Sequence, residues 1–190
     1  MFDIPSNFIC TFKTGDNINH NLAILSLLYQ VYEVATPDEK RLLCKPITIT
    51  LITIIEACLY DFHKRAKLLT WEGIAGLADT VLEYMRGKQI DEFEQCIASA
   101  KKHGLFGDDA KFYADLDLLR KLRNRIHIQN RWNYLEPDEW NAFTQQRKVL
   151  AEQALEKVAK TLSSNHPRPR HIHGHVRDFQ CPWKEHTVVP

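Results

Sequence analysis

Arginine, asparagine and histidine crowd one short stretch of this 190-residue chain, Leu116-Asp117-Leu118-Leu119-Arg120-Lys121-Leu122-Arg123-Asn124-Arg125-Ile126-His127-Ile128-Gln129-Asn130. At 100° per residue, Phe112, Leu116, Leu119, Leu122 and Ile126 form one apolar helical face. Arg120, Arg123, Asn124 and His127 fall on an adjacent stripe, at the flank of the core-facing side. Arg120, Lys121, Arg123, Arg125 and Arg131 lie between Asp117 and Glu136 with no acid among them, so positive charge concentrates here. A histidine can move a proton near neutral pH. An arginine can hold a phosphate and oppose the charge that develops on its oxygens. Together these groups suit phosphodiester cleavage. The same spacing also describes a solvated basic helix face with His127 half-buried, and spacing alone leaves both readings open.

Other residues bear on the same chemistry. Glu56 interrupts a very apolar stretch, and a buried carboxylate needs a partner; an arginine of the basic stretch would serve, as a structural ion pair or as an orienter of the site. Tyr60, Tyr113 and Trp132 could stack bases or pack in a core or an interface. Asp61 and His63 read as exposed helix-end residues. The run His171-Ile172-His173-Gly174-His175, with Cys181 and His186 downstream, offers zinc or nickel ligands but matches no closed structural site, so no metal or other cofactor is expected. No Walker-type glycine loop, GxSxG elbow or HExxH pair is present.

The elements that must position these residues read as helices. Hairpin signals such as Asn-Gly or Asp-Gly are absent, while helix punctuation recurs. Residues 1–17 look irregular. Helices are predicted near 19–35, 37–44, 46–67, 71–86, 90–102, 109–129 and 137–162, with little or no sheet. Thr36-Pro37-Asp38-Glu39 is a capped start, and its helix is expected to stop before Pro46. A strand over Ile47–Ile55 is the rival reading of the β-branched run that follows. The run from Ile47 to Tyr60 is too short to span a bilayer. After Ser163 the chain becomes non-periodic, with Pro167, Pro169, Gly174, Pro182 and five of the nine histidines. That tail could touch RNA or wrap onto the bundle through Phe179 and Trp183. The expected architecture is an all-α, up-and-down helical bundle over residues 1–163 with an irregular extension over 164–190.

Composition sets the outer bounds. Lys+Arg 25 against Asp+Glu 24 excludes a uniformly basic nucleic-acid-coating protein, and 44% hydrophobic with 26% charged residues is ordinary for a globular domain. Cys10, Cys44, Cys58, Cys96 and Cys181 are scattered, odd in number and without CxxC spacing, which points to reduced thiols in a cytoplasmic protein. The first residues, Met1-Phe2-Asp3-Ile4-Pro5, lack the basic and apolar regions of a signal peptide.

Leu119-Arg120-Lys121-Leu122-Arg123-Asn124-Arg125-Ile126-His127 resembles the signature helix of the HEPN superfamily (higher eukaryotes and prokaryotes nucleotide-binding), in which four to six residues stand between an Arg, often followed by Asn, Asp or His, and a His. The Arg-Asn pair stands at Arg123-Asn124, with three residues before His127; six residues separate Arg120 from His127. Either Arg120 is the catalytic arginine or the site is a variant. Ile54-Ile55-Glu56-Ala57-Cys58-Leu59-Tyr60-Asp61 resembles the family's earlier helix with an inward polar residue. The likeness spans roughly residues 20–162 and is sharp over about ten positions. It implies a helical bundle, a homodimer with its motif helices facing, and a metal-independent endoribonuclease of toxin or defence type. In that enzyme His127 would transfer protons, Arg120 or Arg123 would grip the phosphate, Asn124 would orient, Glu56 would support, and Lys121, Arg125 and Arg131 would bind RNA. A toxin would bring an antitoxin or a nucleotidyltransferase as partner. The alternative is a non-catalytic HEPN-like module that binds a nucleotide, RNA or a protein.

Overall fold

The computed structural model describes residues 1–126, 138–172 and 175–186. Its elements are β1 (Phe2–Ile4), α1 (Phe12–Val34), α2 (Pro37–Leu68), α3 (Asp79–Arg86), α4 (Phe93–Lys102), α5 (Ala110–Arg123), a 3-10 turn (Asn124–Ile126), α6 (Glu139–Ala142), α7 (Gln145–Asn165) and β2 (Phe179–Cys181). Among the described residues the fold is all-α apart from two short strands.

Helix α2 is the hub, packing against α1, α3, α4, α5 and α7. Ile47, Leu51, Ile52, Ile55, Cys58, Leu59 and Phe62 are buried along it, which disposes of the strand reading. Its start is a full capping box, with Glu39 N donating to the Thr36 hydroxyl and Thr36 N to the Glu39 carboxylate. The expected break before Pro46 does not occur. Pro46 sits on the exposed side, so the hydrogen bond its ring abolishes is lost at the surface. The 32-residue helix that results is long and apolar enough to cross a membrane, longer than its apolar run alone had indicated. Half of its most apolar window is nevertheless buried inside the protein. That is the packing of a core helix.

Three further boundaries differ from the sequence reading. α1 begins at Phe12 instead of Asn19, because a distant carboxylate supplies its cap: Asp61 accepts from Cys10 N at 2.6 Å and Thr11 N at 3.2 Å. Asp61 is therefore fully buried, and His63 is 4% exposed; neither is an exposed helix end. The expected helix over 71–86 shrinks to α3, since Gly73 and Gly76 adopt φ of +64° and +78° and turn the chain. The expected helix over 137–162 divides at Phe143, where Thr144 starts α7 by accepting from Arg147 N at 3.3 Å.

The C-terminal segment packs on the bundle. β2 pairs antiparallel with β1, Phe2 opposite Cys181 and Ile4 opposite Phe179. Phe179 and Trp183 are buried, and Val176 seats directly over Gly15 of α1, where a Cβ would collide with it. Residues 1–17, read as irregular from sequence, thus hold a strand and the first turns of α1.

Candidate nucleic-acid interface

Helix α5 starts where Asp109 accepts from Phe112 N at 3.0 Å. Phe112, Leu116, Leu119 and Leu122 are buried, as their periodicity requires, and fix α5 against α2, α4 and α7. Arg120, Lys121 and Arg123 then occupy its last turn, where the helix dipole favours cations.

The two arginines turn to different neighbours. Arg120 donates through Nε and Nη2 to Asp117 Oδ1 at 2.9 and 2.8 Å, and its Nη1 lies 3.1 Å from Glu94 Oε2 on α4. Lys121 Nζ sits 2.8 Å from the other oxygen of Asp117. The hydrogen bond from Lys121, then those from Arg120, hold the Asp117 carboxyl below the usual range against its partial desolvation. Arg123 Nη2 lies 3.0 Å from Glu56 Oε2 on α2, the arginine partner that a carboxylate in that apolar stretch called for. The side chain of Glu56 is 23% exposed, so the pair sits at the surface of the α2–α5 seam and not in the core. The Arg120 side chain is 17% exposed and shared between two carboxylates; that of Arg123 is 40% exposed with Glu56 opposite it.

The stripe is not one continuous helix. α5 ends at Arg123, not near Gln129, and the 3-10 turn follows. Asn124 is the exposed C-cap residue, its N–H donating to Arg120 O and Leu122 O. Tighter winding through the turn rotates Ile126 off the apolar face, leaving it 54% exposed. Arg125 is half-buried. His127, Arg131 and Trp132 lie outside the described residues. Of the aromatic residues considered for stacking, Tyr60 is 38% exposed one turn beyond Glu56, whereas Tyr113 is buried, donating to Ala100 O at 3.2 Å and accepting from Phe106 N at 3.1 Å.

Two buried ionic networks were missed from sequence. Glu72 accepts from Arg168 Nε at 3.1 Å and from its Nη2, and lies 3.3 Å from Arg65 Nε; Arg65 Nη1 donates to His166 O at 2.6 Å. On α7, Glu152 meets Lys148 Nζ at 2.7 Å, His186 Nε2 at 2.8 Å and the Tyr29 hydroxyl. One turn on, Glu156 accepts from Trp183 Nε1 at 2.9 Å and from His186 N at 3.1 Å. The α7 network was legible in principle, because Glu152 and Glu156 share the helical face of Leu155 and Ala159. The pairing across the tail was not.

The five cysteines are free. Burial pushes the Cys10 thiol up to about 11 and those of Cys96 and Cys181 to about 12, so none is a poised nucleophile. Among the described residues, no group of three or more His, Cys, Asp or Glu side chains is arranged to hold a metal ion. His173 of the histidine run lies outside them.

Comparison with protein-family models, with curated proteins and with solved structures finds no match to this chain.

Proposed function

We propose that this chain is a HEPN-like, metal-independent endoribonuclease whose phosphate-holding arginine is Arg123. The observation that carries the reading is the Arg123–Glu56 pair. It holds the arginine of the Arg-Asn motif at the α2–α5 seam, 40% exposed and opposed, among the described residues, by the partly exposed carboxylate of Glu56. An arriving phosphate can exchange for that carboxylate, because exposed ion pairs contribute about 1 kcal/mol or less. Arg120, shared between Asp117 and Glu94, serves instead to fix the end of α5.

In this reading His127 takes the proton of the ribose 2′-hydroxyl. The oxygen attacks the adjacent phosphorus, the P–O5′ bond breaks and the 5′-oxygen takes a proton from water, so the products carry a 2′,3′-cyclic phosphate and a 5′-hydroxyl. Arg123 opposes the charge that gathers on the phosphoryl oxygens. Glu56 orients Arg123, Asn124 orients the ribose, and Lys121, Arg125 and Arg131 hold flanking phosphates. The protein acts in the cytoplasm as a homodimer whose motif helices face each other, with an antitoxin or nucleotidyltransferase as its partner if it serves as a toxin.

The test incubates wild type and His127→Ala with a structured RNA pool in EDTA and sequences the ends. Cyclic-phosphate ends from wild type, reduced on the order of 10²–10⁴-fold in the variant, are expected. Cleavage that survives His127→Ala, or that EDTA abolishes, overturns the mechanism. The second reading, a binding module without catalysis, is favoured by the carboxylates already paired with both arginines. Binding without cleavage would select it.

A further inference from the structure

Beside the Arg123–Glu56 pair, across the exposed ridge of α2 formed by Thr53 and Tyr60, runs a groove that the ribonuclease reading does not use. It lies between α1 and α2, has a volume of about 320 Å³, and is floored by Ile18 and Ile54. Its walls are Asn17 and Asn21 from α1 and Thr53, Ala57 and Tyr60 from α2. That size stands at the small end of ligand clefts. The lining combines an apolar floor, an exposed aromatic ring and side-chain amides and hydroxyls, with no carboxylate among the lining residues. Asn21 Nδ2 donates to Asn17 O at 2.8 Å and Thr53 Oγ1 to Ile49 O at 2.9 Å, so these polar groups are held in place before any ligand arrives. Lys64 Nζ stands 5.9 Å from the centroid of the Tyr60 ring, adding positive charge beside the groove.

Spacing ties the groove to the arginine. Thr53, Glu56, Ala57 and Tyr60 stand at i, i+3, i+4 and i+7 and share one outward face of α2. Thr53, Ala57 and Tyr60 border the groove, while Glu56 reaches across to Arg123 of α5. Glu56 stands one turn before Tyr60 on that face, so the phosphate-holding arginine and the groove are on the order of 10 Å apart. One nucleic-acid strand can place a phosphate at the first and a neighbouring base in the second.

We infer that the α1–α2 groove is a base subsite: an unpaired RNA base lies in it against the Tyr60 ring, with its edge toward the amides of Asn17 and Asn21, while its strand's phosphate meets Arg123. This rests on the RNA reading above and deepens it, because it makes single-stranded or looped RNA the substrate class. A base paired and stacked within a duplex does not present its face to a side-chain ring, so the base in the groove must be an unpaired one. A peptide helix is a poorer fit, since the rim offers the amides of Asn17 and Asn21, the hydroxyl of Thr53 and an aromatic ring, and the large aliphatic side chains are confined to the floor.

The test is fluorescence anisotropy with a short, labelled, single-stranded 2′-O-methyl oligoribonucleotide, which lacks the attacking hydroxyl and cannot be cleaved. A matching oligonucleotide with abasic positions is the control. Tyr60→Ala and the groove-filling Ala57→Leu should each weaken binding roughly tenfold to a hundredfold, the range for losing one stacked base. Tyr60→Phe should retain it, and the abasic strand should bind wild type weakly and be indifferent to Tyr60→Ala. Circular dichroism of each variant checks that the helices are intact. Unchanged affinity in Tyr60→Ala, with Arg123→Ala still weakening binding, overturns the subsite and leaves the RNA reading standing. No affinity of wild type for the oligonucleotide overturns both.

Discussion

The molecule keeps its charged side chains in two kinds of place, and they behave as different materials. Beneath the tail, Arg65, Glu72 and Arg168 have side chains 1%, 0% and 5% exposed, and each is tied to more than one partner. At the α2–α5 seam, the side chains of Arg123 and Glu56 are 40% and 23% exposed and meet at 3.0 Å. Both are arginine–carboxylate pairs. The buried set cannot exchange partners without leaving a charge in the interior, which is costly. The seam pair can exchange its carboxylate for a phosphate at little cost. Burial, more than residue type, separates an ionic group that holds the fold from one that can receive a ligand.

The largest expected effect comes from breaking the buried set. Glu72→Ala leaves two guanidinium groups beneath the tail without their carboxylate, and should lower unfolding stability by about 3–5 kcal/mol in a urea titration. A loss below about 1 kcal/mol would mean that the cluster is hydrated and the contrast with the seam is false.

Next in size is a steric change at the same tail. Gly15→Ala places a methyl group against Val176. Overpacking of this kind should cost about 1–3 kcal/mol. Protease sensitivity should rise between Asn165 and Phe179 before the helices unfold. Equal resistance in variant and wild type would show that the tail does not depend on this close approach.

The third effect is smaller and pH-dependent. Burial is the main cause that lowers the pKa of His63 and His166 below the ordinary value, partly opposed by hydrogen bonds to Leu59 O and Ala75 O. The unfolded chain therefore binds protons more readily below pH of about 6.5. Stability should be fully present above that value and fall as the pH drops toward the lowered folded values, by at most about 1.4 kcal/mol per pH unit for each histidine. Urea midpoints at neutral and mildly acidic pH measure this. His63→Gln should flatten the dependence, and an unchanged slope would remove His63 from the account.

The contrast between the two regions also explains what could be read from sequence. The helical class, the cap at Thr36 and the apolar face of α5 through Leu122 follow local rules of period and capping, and all appear in the structure. Boundaries failed where a distant group decided them. Asp61 extends α1 backward, the exposed position of Pro46 lets α2 run through it, and left-handed glycines shorten α3. At the site, an arginine partner for Glu56 was legible because a carboxylate in an apolar helix demands a cation, while the choice of Arg123 comes from the tertiary structure. The neutralising roles of Glu94 on Arg120 and of Glu72 on Arg65 and Arg168 depend on tertiary contacts that no local pattern encodes.

The most direct measurement of the central claim is the salt-dependent affinity of wild type, Arg123→Ala and Glu56→Gln for single-stranded RNA that cannot be cleaved. If Arg123 exchanges its carboxylate for a phosphate, Arg123→Ala should weaken binding and reduce the slope of log K against log salt by about 0.7. Glu56→Gln should leave stability within about 1 kcal/mol of wild type. It should also tighten binding several-fold, because glutamine keeps a hydrogen-bonding contact with the arginine but no longer competes with the phosphate for its charge. Affinities and slopes that are the same for all three proteins would contradict the account.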